Sequence, residues 1–258
     1  MIFDEPLITS PLAMGLIVFA CAFGGALLGL RLRAVLPEHH LSTDSKDIVK
    51  LGIGLIATMS ALVVSLLLAS AKNSYDVQRS DLIQMSANVI VLDRLMAHYG
   101  PETRQAREQV RNSVGQALER LWPTDHARPT QLAPKTDSER FYDEIQALAP
   151  RDEAQRSLKA EALRLGLEIG RARWLLLEQK GASIPLPFLA VLTFWLAMIF
   201  TSFGIFAPAN ATVIATLLVC ALSISGAIFL VLELDTPFGG LIHISSAPLR
   251  DPLALLGQ

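Results

Sequence analysis

The longest uncharged segment of this sequence constrains its fold more than any other feature. From Gly181 to Leu232 there is no Asp, Glu, Lys or Arg, and Pro208-Ala209-Asn210 interrupts the segment near its middle. A helix crosses a bilayer core with about 20 apolar residues, so this segment is long enough to cross twice. Inside lipid, only helices and closed barrels satisfy their own backbone hydrogen bonds. The sequence therefore predicts an integral membrane protein.

Two further uncharged segments lie nearer the N-terminus, from Pro6 to Leu30 and from Leu51 to Ala71. A cleavable signal peptide is the alternative for the first of them, but Asp4 and Glu5 stand where a signal peptide carries basic residues. We therefore expect a retained helix. Together the uncharged segments predict four transmembrane helices, at residues 11–30, 51–71, 184–206 and 211–232.

The charged residues are concentrated between the second and third predicted spans. Basic and acidic side chains occur there in nearly equal numbers, and the net charge of the whole chain is −2. Because nucleic-acid binding usually needs a basic excess, no nucleic-acid partner is predicted. The predicted domains are residues 1–71 (spans one and two), 72–183 (a helical soluble insert), 184–232 (spans three and four) and 233–258 (a C-terminal tail).

Apolar residues recur in the insert at the three- and four-residue spacing of helices. A first stripe continues from the second span to Gly100-Pro101, a second ends at Trp122-Pro123, and a third follows Pro150 with a heptad-like repeat. The stripes are Tyr75, Leu82, Met85, Val89, Leu92, Met96 and Tyr99; Val110, Val114, Ala117 and Leu121; and Leu158, Ala162, Leu165, Ile169, Ala172 and Leu176. The predicted fold is all-α: four transmembrane helices with a helical insert between helices 2 and 3, whose bundle lies within one chain or is shared between subunits.

No pattern of an enzyme or a metal site is present. The sequence contains no Gly-rich phosphate loop, no His-Glu-x-x-His and no Gly-x-Ser-x-Gly elbow. Cys21 and Cys220 both fall inside predicted spans, where packing is favoured over a disulfide. We therefore predict a protein that is not an enzyme and that has no cofactor and no metal site.

Small residues follow one face of the second span and lead to a basic residue at its exit. This small-residue stripe consists of Gly54, Thr58, Ala61, Ser65, Ala69 and Lys72. Such a face can line a water-filled path, where Lys72 would raise the local anion concentration. It can also serve close helix packing, which the sequence alone favours. Gly25-x-x-x-Gly29 in the first span is a similar pattern, and packing is favoured there as well.

Two carboxylates, Glu233 and Asp235, follow the fourth span in a segment that continues to Pro237-Phe238-Gly239. Carboxylates at a bilayer edge are costly unless they are solvated or paired. The open roles are cation binding, capping of a neighbouring helix, pairing with an Arg of the insert, and interfacial anchoring. An isolated acidic pair does not make a calcium site, since calcium takes about six to eight oxygen ligands.

Four local stretches resemble the bestrophin-like membrane proteins of bacteria, which share the arrangement of two spans, a helical insert and two spans. The stretches are residues 52–62, 71–76, 99–107 and 233–239. True bestrophins are pentameric anion channels with a mostly cytoplasmic insert, and Pro237-Phe238-Gly239 is similar to a segment after their last span. The resemblance implies a homo-oligomer, a pentamer in that family, that passes inorganic anions. The acidic run that follows in bestrophins is replaced here by Gly240-Leu-Ile-His243, so calcium gating is not implied.

The charges flanking the spans leave the membrane orientation open. The loop between spans one and two carries Arg31, Arg33, Lys46 and Lys50, whereas the membrane-proximal ends of the insert carry more basic residues than that. The positive-inside rule counts short loops and flanks but discounts long domains. The resemblance favours a cytoplasmic insert in a bacterial inner membrane.

The predicted function is an oligomeric, anion-permeable membrane channel. Its pore-lining candidates are Gly54, Thr58, Ala61, Ser65 and Lys72, and its mouth or cation-contact candidates are Glu233 and Asp235. The alternative is a non-conducting membrane scaffold or sensor whose insert docks a partner protein through its heptad-like stripe. A secondary transporter is less favoured, because four spans are few. The direction of the small-residue stripe distinguishes the first two: towards the axis of an oligomer, or into its own subunit.

Overall fold

A computed structural model describes residues 10–37, 43–122, 136–178 and 184–256 of this 258-residue chain. Within these residues the regular structure is entirely helical, which confirms the all-α prediction. The helices of the described part are α1 (Pro11–Val35), α2 (Thr43–Tyr99), α3 (Arg104–Leu121), α4 (Thr136–Ala147), α5 (Glu153–Glu178), α6 (Leu186–Phe206), α7 (Ala211–Leu234) and α8 (Ala247–Leu255), with a single 3-10 turn at Pro101–Thr103.

Four of the described helices, α1, α2, α6 and α7, are long and apolar enough to cross a membrane. They coincide with the four predicted spans. As predicted, α2 runs without interruption from the second span into the first stripe of the insert, over 57 residues. It stops at Gly100, whose φ of 136° favours glycine. Most of the predicted loop at 123–137 lies outside the described residues.

The helix starts follow the local sequence. Ser10 and Asn210 cap α1 and α7, each accepting the N–H of the residue three positions later, at 3.2 Å and 2.8 Å. Before α5, Asp152 Oδ1 accepts the Gln155 N–H at 2.7 Å, while Gln155 Oε1 accepts the Arg151 N–H at 2.8 Å. This reciprocal pair satisfies N–H groups that have no partner inside the helix.

The chain divides into two compact units. The span unit comprises Met1–Ser74 and Ser183–Asp235, and the insert unit comprises Tyr75–Ala182 and Thr236–Gln258. The C-terminal residues, which the sequence set apart as a tail, therefore pack with the insert.

In the span unit α1 and α6 cross at very short distance. A Cβ atom added at Gly29 would lie 2.0 Å from the carbonyl oxygen of Thr201, and one added at Gly25 would lie 2.8 Å from that of Ala197. From the other helix, a Cβ at Gly204 would lie 2.2 Å from a carbonyl oxygen of α1. Glycine at these positions lets the two backbones touch, as small residues do at helix crossings. The packing interpretation of Gly25-x-x-x-Gly29 is confirmed.

Two apolar clusters form the core of the insert unit, and the three predicted stripes face them. The buried members of the first cluster are Leu82, Met85, Val89, Val114, Leu121, Leu176, Ile244, Leu249 and Leu256. Those of the second are Leu92, Met96, Ala106, Ile145, Ala162 and Leu165. The heptad-like stripe of α5 is therefore covered by α2, α3 and α4 of its own chain. The buried members of this stripe therefore have partners within the chain, as expected for the first of the two alternatives, a bundle formed within one chain.

A bidentate ion pair joins α2 and α3 in the insert unit. The Arg107 guanidinium donates from Nε to Asp93 Oδ1 at 2.8 Å and from Nη2 to Oδ2 at 3.0 Å. The Asp93 side chain is only 3% exposed. The hydrogen bonds to this carboxylate raise the pKa of Arg107 above its ordinary value, although partial burial opposes the shift. The pair fixes the two helices relative to each other.

Replacing Asp93 by alanine should destabilise the insert, because Arg107 would stay partly buried without its carboxylate. Removing one partner of a buried pair costs about 3 to 5 kcal/mol, and we expect the lower end because Arg107 retains some access to water. Thermal melting of the purified protein would measure the loss. Arg164→Ala, which removes exposed pairs with Glu161 and Glu168, should leave the melting temperature nearly unchanged. Equal losses in the two variants would contradict the role given to Asp93.

Candidate functional site

The small-residue stripe lies on the exposed side of α2. Gly54, Thr58, Ala61, Ser65 and Lys72 are all exposed in the chain. A Cβ atom added at Gly54 would meet nothing within 4 Å. Within the described part of the chain, therefore, no other helix packs closely against this stripe.

The opposite side of α2 makes its contacts within the span unit. Ser60 and Ala71 are buried there, at 4% and 3% exposure. Val64 and Leu67 pack against a cluster that includes residues of α1, α6 and α7. The remainder of the α2 span is exposed. Only 6% of its most apolar stretch is buried, compared with 28% for α1, 39% for α6 and 22% for α7. Among the four candidate spans of the described chain, α2 is therefore the one that its own chain covers least.

A row of leucines lies beside the small-residue stripe, about a quarter of a turn around the helix. This leucine ridge consists of Leu51, Leu55, Leu62 and Leu66, and its side chains are 64 to 76% exposed. The exposed side of α2 thus has two faces of different character, one small and weakly polar, one large and apolar. The ridge is not among the sequence-based predictions, although its spacings of four, seven and four are a helical signal.

The hydroxyl groups of α2 bond to their own helix. Thr58 Oγ1 donates to the Leu55 carbonyl oxygen and Ser60 Oγ to that of Ile56, both at 2.8 Å. Such back-bonding satisfies a hydroxyl donor in an apolar setting. Thr58 is exposed, so its oxygen also offers lone pairs at the helix surface, whereas buried Ser60 does not.

The two carboxylates after the fourth span have different surroundings. Asp235 Oδ2 accepts the main-chain N–H of Ile184 at 3.0 Å, two residues before α6 begins. This contact is of the capping kind. Glu233 is 4% exposed, which is not the environment of a solvated interfacial anchor. Among the described residues, no group of three or more His, Cys, Asp or Glu side chains is placed to hold a metal ion.

The Pro237-Phe238 segment has a structural role inside the insert unit. The Phe238 ring meets Trp122 edge to face, with ring centroids 5.6 Å apart. The Trp122 indole donates to the Ile244 carbonyl oxygen at 2.8 Å, and the Ile244 N–H donates to the Pro237 carbonyl oxygen at 2.7 Å. These contacts fold the C-terminal segment against the end of α3, a pairing that no local sequence signal indicates.

The two cysteines are not joined to each other. Cys21 and Cys220 are free thiols, and both are exposed in the chain. Both thiols lie on candidate spans, Cys21 on α1 and Cys220 on α7.

The comparison with known proteins covers most of the chain. The sequence model of one family, the Bestrophin-like domain, matches residues 19–249. No curated protein and no solved structure matches the chain. The matched region includes α2 with its small-residue stripe, the insert helices, and α6 and α7. Together with the four apolar helices, it indicates a membrane protein. This chain belongs to the bestrophin-like family.

Proposed function

We propose that this protein is a homo-oligomeric membrane channel that is permeable to inorganic anions. The observation that carries the proposal is the α2 span, whose small-residue stripe is exposed and is not covered by the described part of its own chain. Membership of the bestrophin-like family supports it. The proposed setting is a bacterial inner membrane with the insert in the cytoplasm, and the resemblance to bestrophins suggests five subunits.

The two exposed faces of α2 call for different surroundings. The leucine ridge is a large apolar surface, and in a ring with α2 nearest the axis it would be buried against the neighbouring subunit, about a quarter of a turn from the path. The small-residue stripe offers lipid little contact area, and the oxygen of Thr58 and the hydroxyl of Ser65 are better solvated by water. In a ring of subunits with α2 nearest the axis, the stripes would line one aqueous path. Lys72 would then stand at the end of that path and attract anions.

The proposed mouth of the path includes Glu233 and Asp235. Asp235 is engaged with the chain before α6, so its role in the proposal is to hold the end of α6 in position. Buried Glu233 would serve in the same way, by shaping the mouth from inside the subunit. Neither residue is proposed as a calcium ligand.

The second candidate function is a non-conducting scaffold or sensor. The heptad-like stripe of α5 is occupied within the chain, so docking would use another surface. One exposed apolar group on α5 favours this candidate: Leu167, Trp174 and Leu175 are 52 to 55% exposed. Chloride flux from purified protein in liposomes distinguishes the two functions. Flux from a defined oligomer supports the channel, and a folded but flux-silent protein supports the scaffold.

Replacing Lys72 by glutamate should lower the permeability ratio of chloride to potassium. Each subunit would exchange one positive charge for one negative charge, and we expect about a tenfold change, which corresponds to about 1.4 kcal/mol in relative barrier height. The reversal potential of a planar bilayer in a KCl gradient measures the ratio. Lys72→Arg keeps the charge and should keep the ratio. An unchanged ratio in Lys72→Glu would remove Lys72 from the mechanism.

A further inference from the structure

A cavity interrupts the core of the insert unit. It has a volume of about 130 Å³, is partly open to solvent, and is bounded by α2, α3 and α5, with Phe141 of α4 and Leu249 of α8 completing its wall. Its wall includes members of both apolar clusters, and Val110 and Ile169 contact the two clusters alike. Water that fills such a pocket lies against apolar side chains, so a ligand that replaces it there gains from the hydrophobic effect.

Two glycines of α5 line this cavity, and only one of them is required by packing. A Cβ atom at Gly166 would lie 2.7 Å from Phe141 Cε1, so the aromatic ring accounts for that glycine. A Cβ atom at Gly170, one turn later, would meet nothing within 4 Å. Glycine inside a helix is destabilising relative to other residues. Gly170 therefore leaves the cavity open at a position where the fold has room for a side chain.

The wall of the cavity is apolar except for three side chains, Gln109, Ser113 and Arg173. Among these described lining residues, Arg173 is the charged one, and it follows Gly170 by three positions on the same face of α5. A guanidinium group offers a planar pair of donors that fits a carboxylate. Arg173 already has an interaction within the chain, but a guanidinium group carries five N–H donors and can form a further charge-assisted bond to a ligand carboxylate.

We propose that this cavity binds a small apolar molecule with one anionic group, of the size and chemistry of an aromatic monocarboxylate. The volume fits a single ring, since a cavity of about 150 Å³ lined by aliphatic and aromatic side chains holds benzene. The ring would lie against Gly170, Val110 and Ile169, and the carboxylate would face Arg173. This site belongs to the insert unit and is independent of the proposed channel function.

Equilibrium dialysis with benzoate and with neutral benzamide tests the site on the full-length protein in lipid nanodiscs, with empty nanodiscs as the blank. Nanodiscs are preferred because detergent monomers compete for apolar cavities. We expect saturable benzoate binding that is tighter than benzamide binding. Arg173→Gln should weaken benzoate binding by about tenfold, the loss expected for one charge-assisted bond, and leave benzamide binding within about twofold.

Gly170→Leu should abolish the binding of both probes without lowering the melting temperature, because the leucine fills the void and suits a helix. Ala117→Leu fills the same cavity from α3 and should act alike if the first variant does not fold. Gly115→Leu is the matched control and should leave binding unchanged. Gly115 is a helix glycine that does not line the cavity, and a Cβ atom added there would meet nothing within 4 Å.

The proposal is overturned by absent benzoate binding up to about 10 mM, by binding that survives both cavity-filling variants, or by equal affinity for the two probes.

Discussion

A leucine at position 29 should prevent the span unit from forming. A Cβ atom there would lie 2.0 Å from the Thr201 carbonyl oxygen and 3.0 Å from the Cα of Gly204. Both obstacles are backbone atoms, so the clash is relieved only when α1 and α6 move apart. Because interiors transmit such a displacement, we expect a cost above the about 1 to 3 kcal/mol that is typical of overpacking.

The separation of α1 from α6 would also open the apolar cluster beside the crossing. That cluster joins Ala22 and Ala26 of α1 to Phe200 of α6 and to Leu217 and Ala221 of α7. Its loss leaves α1 without most of its contacts in the span unit. Size-exclusion chromatography of detergent extracts measures the result. We expect the area of the monodisperse peak to fall about tenfold or more, since a factor of ten corresponds to only about 1.4 kcal/mol.

Gly24→Leu is the matched control for this experiment. It adds the same side chain to the same helix, at a position where a Cβ atom meets nothing within 4 Å. The control should yield normal protein, and Gly204→Leu should reproduce the defect from the other helix. A normal peak from Gly29→Leu would mean that α1 and α6 do not cross as closely as described. A defect in Gly24→Leu would assign the effect to added bulk in general.

The helices of this protein could be predicted from its sequence because their signals are local. Uncharged length fixed the four candidate spans, and apolar spacing in the insert fixed the faces that become buried. Leu82, Val89 and Leu92 were assigned to the buried face of α2 from spacing alone, and all are at most 2% exposed. Gly100 marked the end of α2 because a positive φ there favours glycine.

The partners of each face could not be predicted in the same way. Asp93 lies beside an apolar stripe and Arg107 lies in the next helix, but nothing in either segment indicates that they meet. The same holds for Trp122 and Phe238, which are far apart in the sequence. These contacts depend on the tertiary arrangement, which single-segment periodicity does not encode. The cavity beside Gly170 is a property of several helices together and has no signal in any one of them.

Two patterns of small residues show most clearly that the sequence does not reveal which faces are covered. Gly25-x-x-x-Gly29 and the series from Gly54 to Ser65 are similar patterns of small residues in apolar helices. In the first, added side chains would collide with backbone atoms, whereas at Gly54 an added Cβ would meet nothing within 4 Å. Small residues permit close approach, but whether another helix approaches is decided elsewhere in the fold. Only the structure separates the packed pair from the bare stripe.

A cysteine in place of Ser65 should react with a negatively charged, membrane-impermeant thiol reagent and block chloride flux. The proposed path puts residue 65 in contact with water, and a charged thiol reagent does not enter hydrocarbon. The modified side chain would place one large negative group per subunit at the same level of the path. We therefore expect chloride flux in liposomes to fall at least about tenfold, since a barrier increase of about 1.4 kcal/mol is enough for that change.

The native thiols must first be removed, because Cys21 and Cys220 are exposed on other candidate spans. The Cys21→Ala and Cys220→Ala background should conduct like the wild-type protein. Leu62→Cys in that background is the matched control, since Leu62 lies on the same helix, less than one turn away, and is 71% exposed on the leucine ridge. The proposed ring of subunits directs this ridge away from the water-filled path, so Leu62→Cys should neither react nor lose flux.

The pattern of reaction separates three arrangements of α2. Reaction and block at residue 65 alone place the small-residue stripe along the aqueous path. Reaction at neither position, with flux retained, would mean that the path lies elsewhere in the oligomer and that the stripe contacts another subunit. Reaction at both positions without loss of flux would mean that α2 is surrounded by water outside any path. The last two outcomes contradict the proposed site but leave the channel function standing, because flux and the residues that line the path are measured separately.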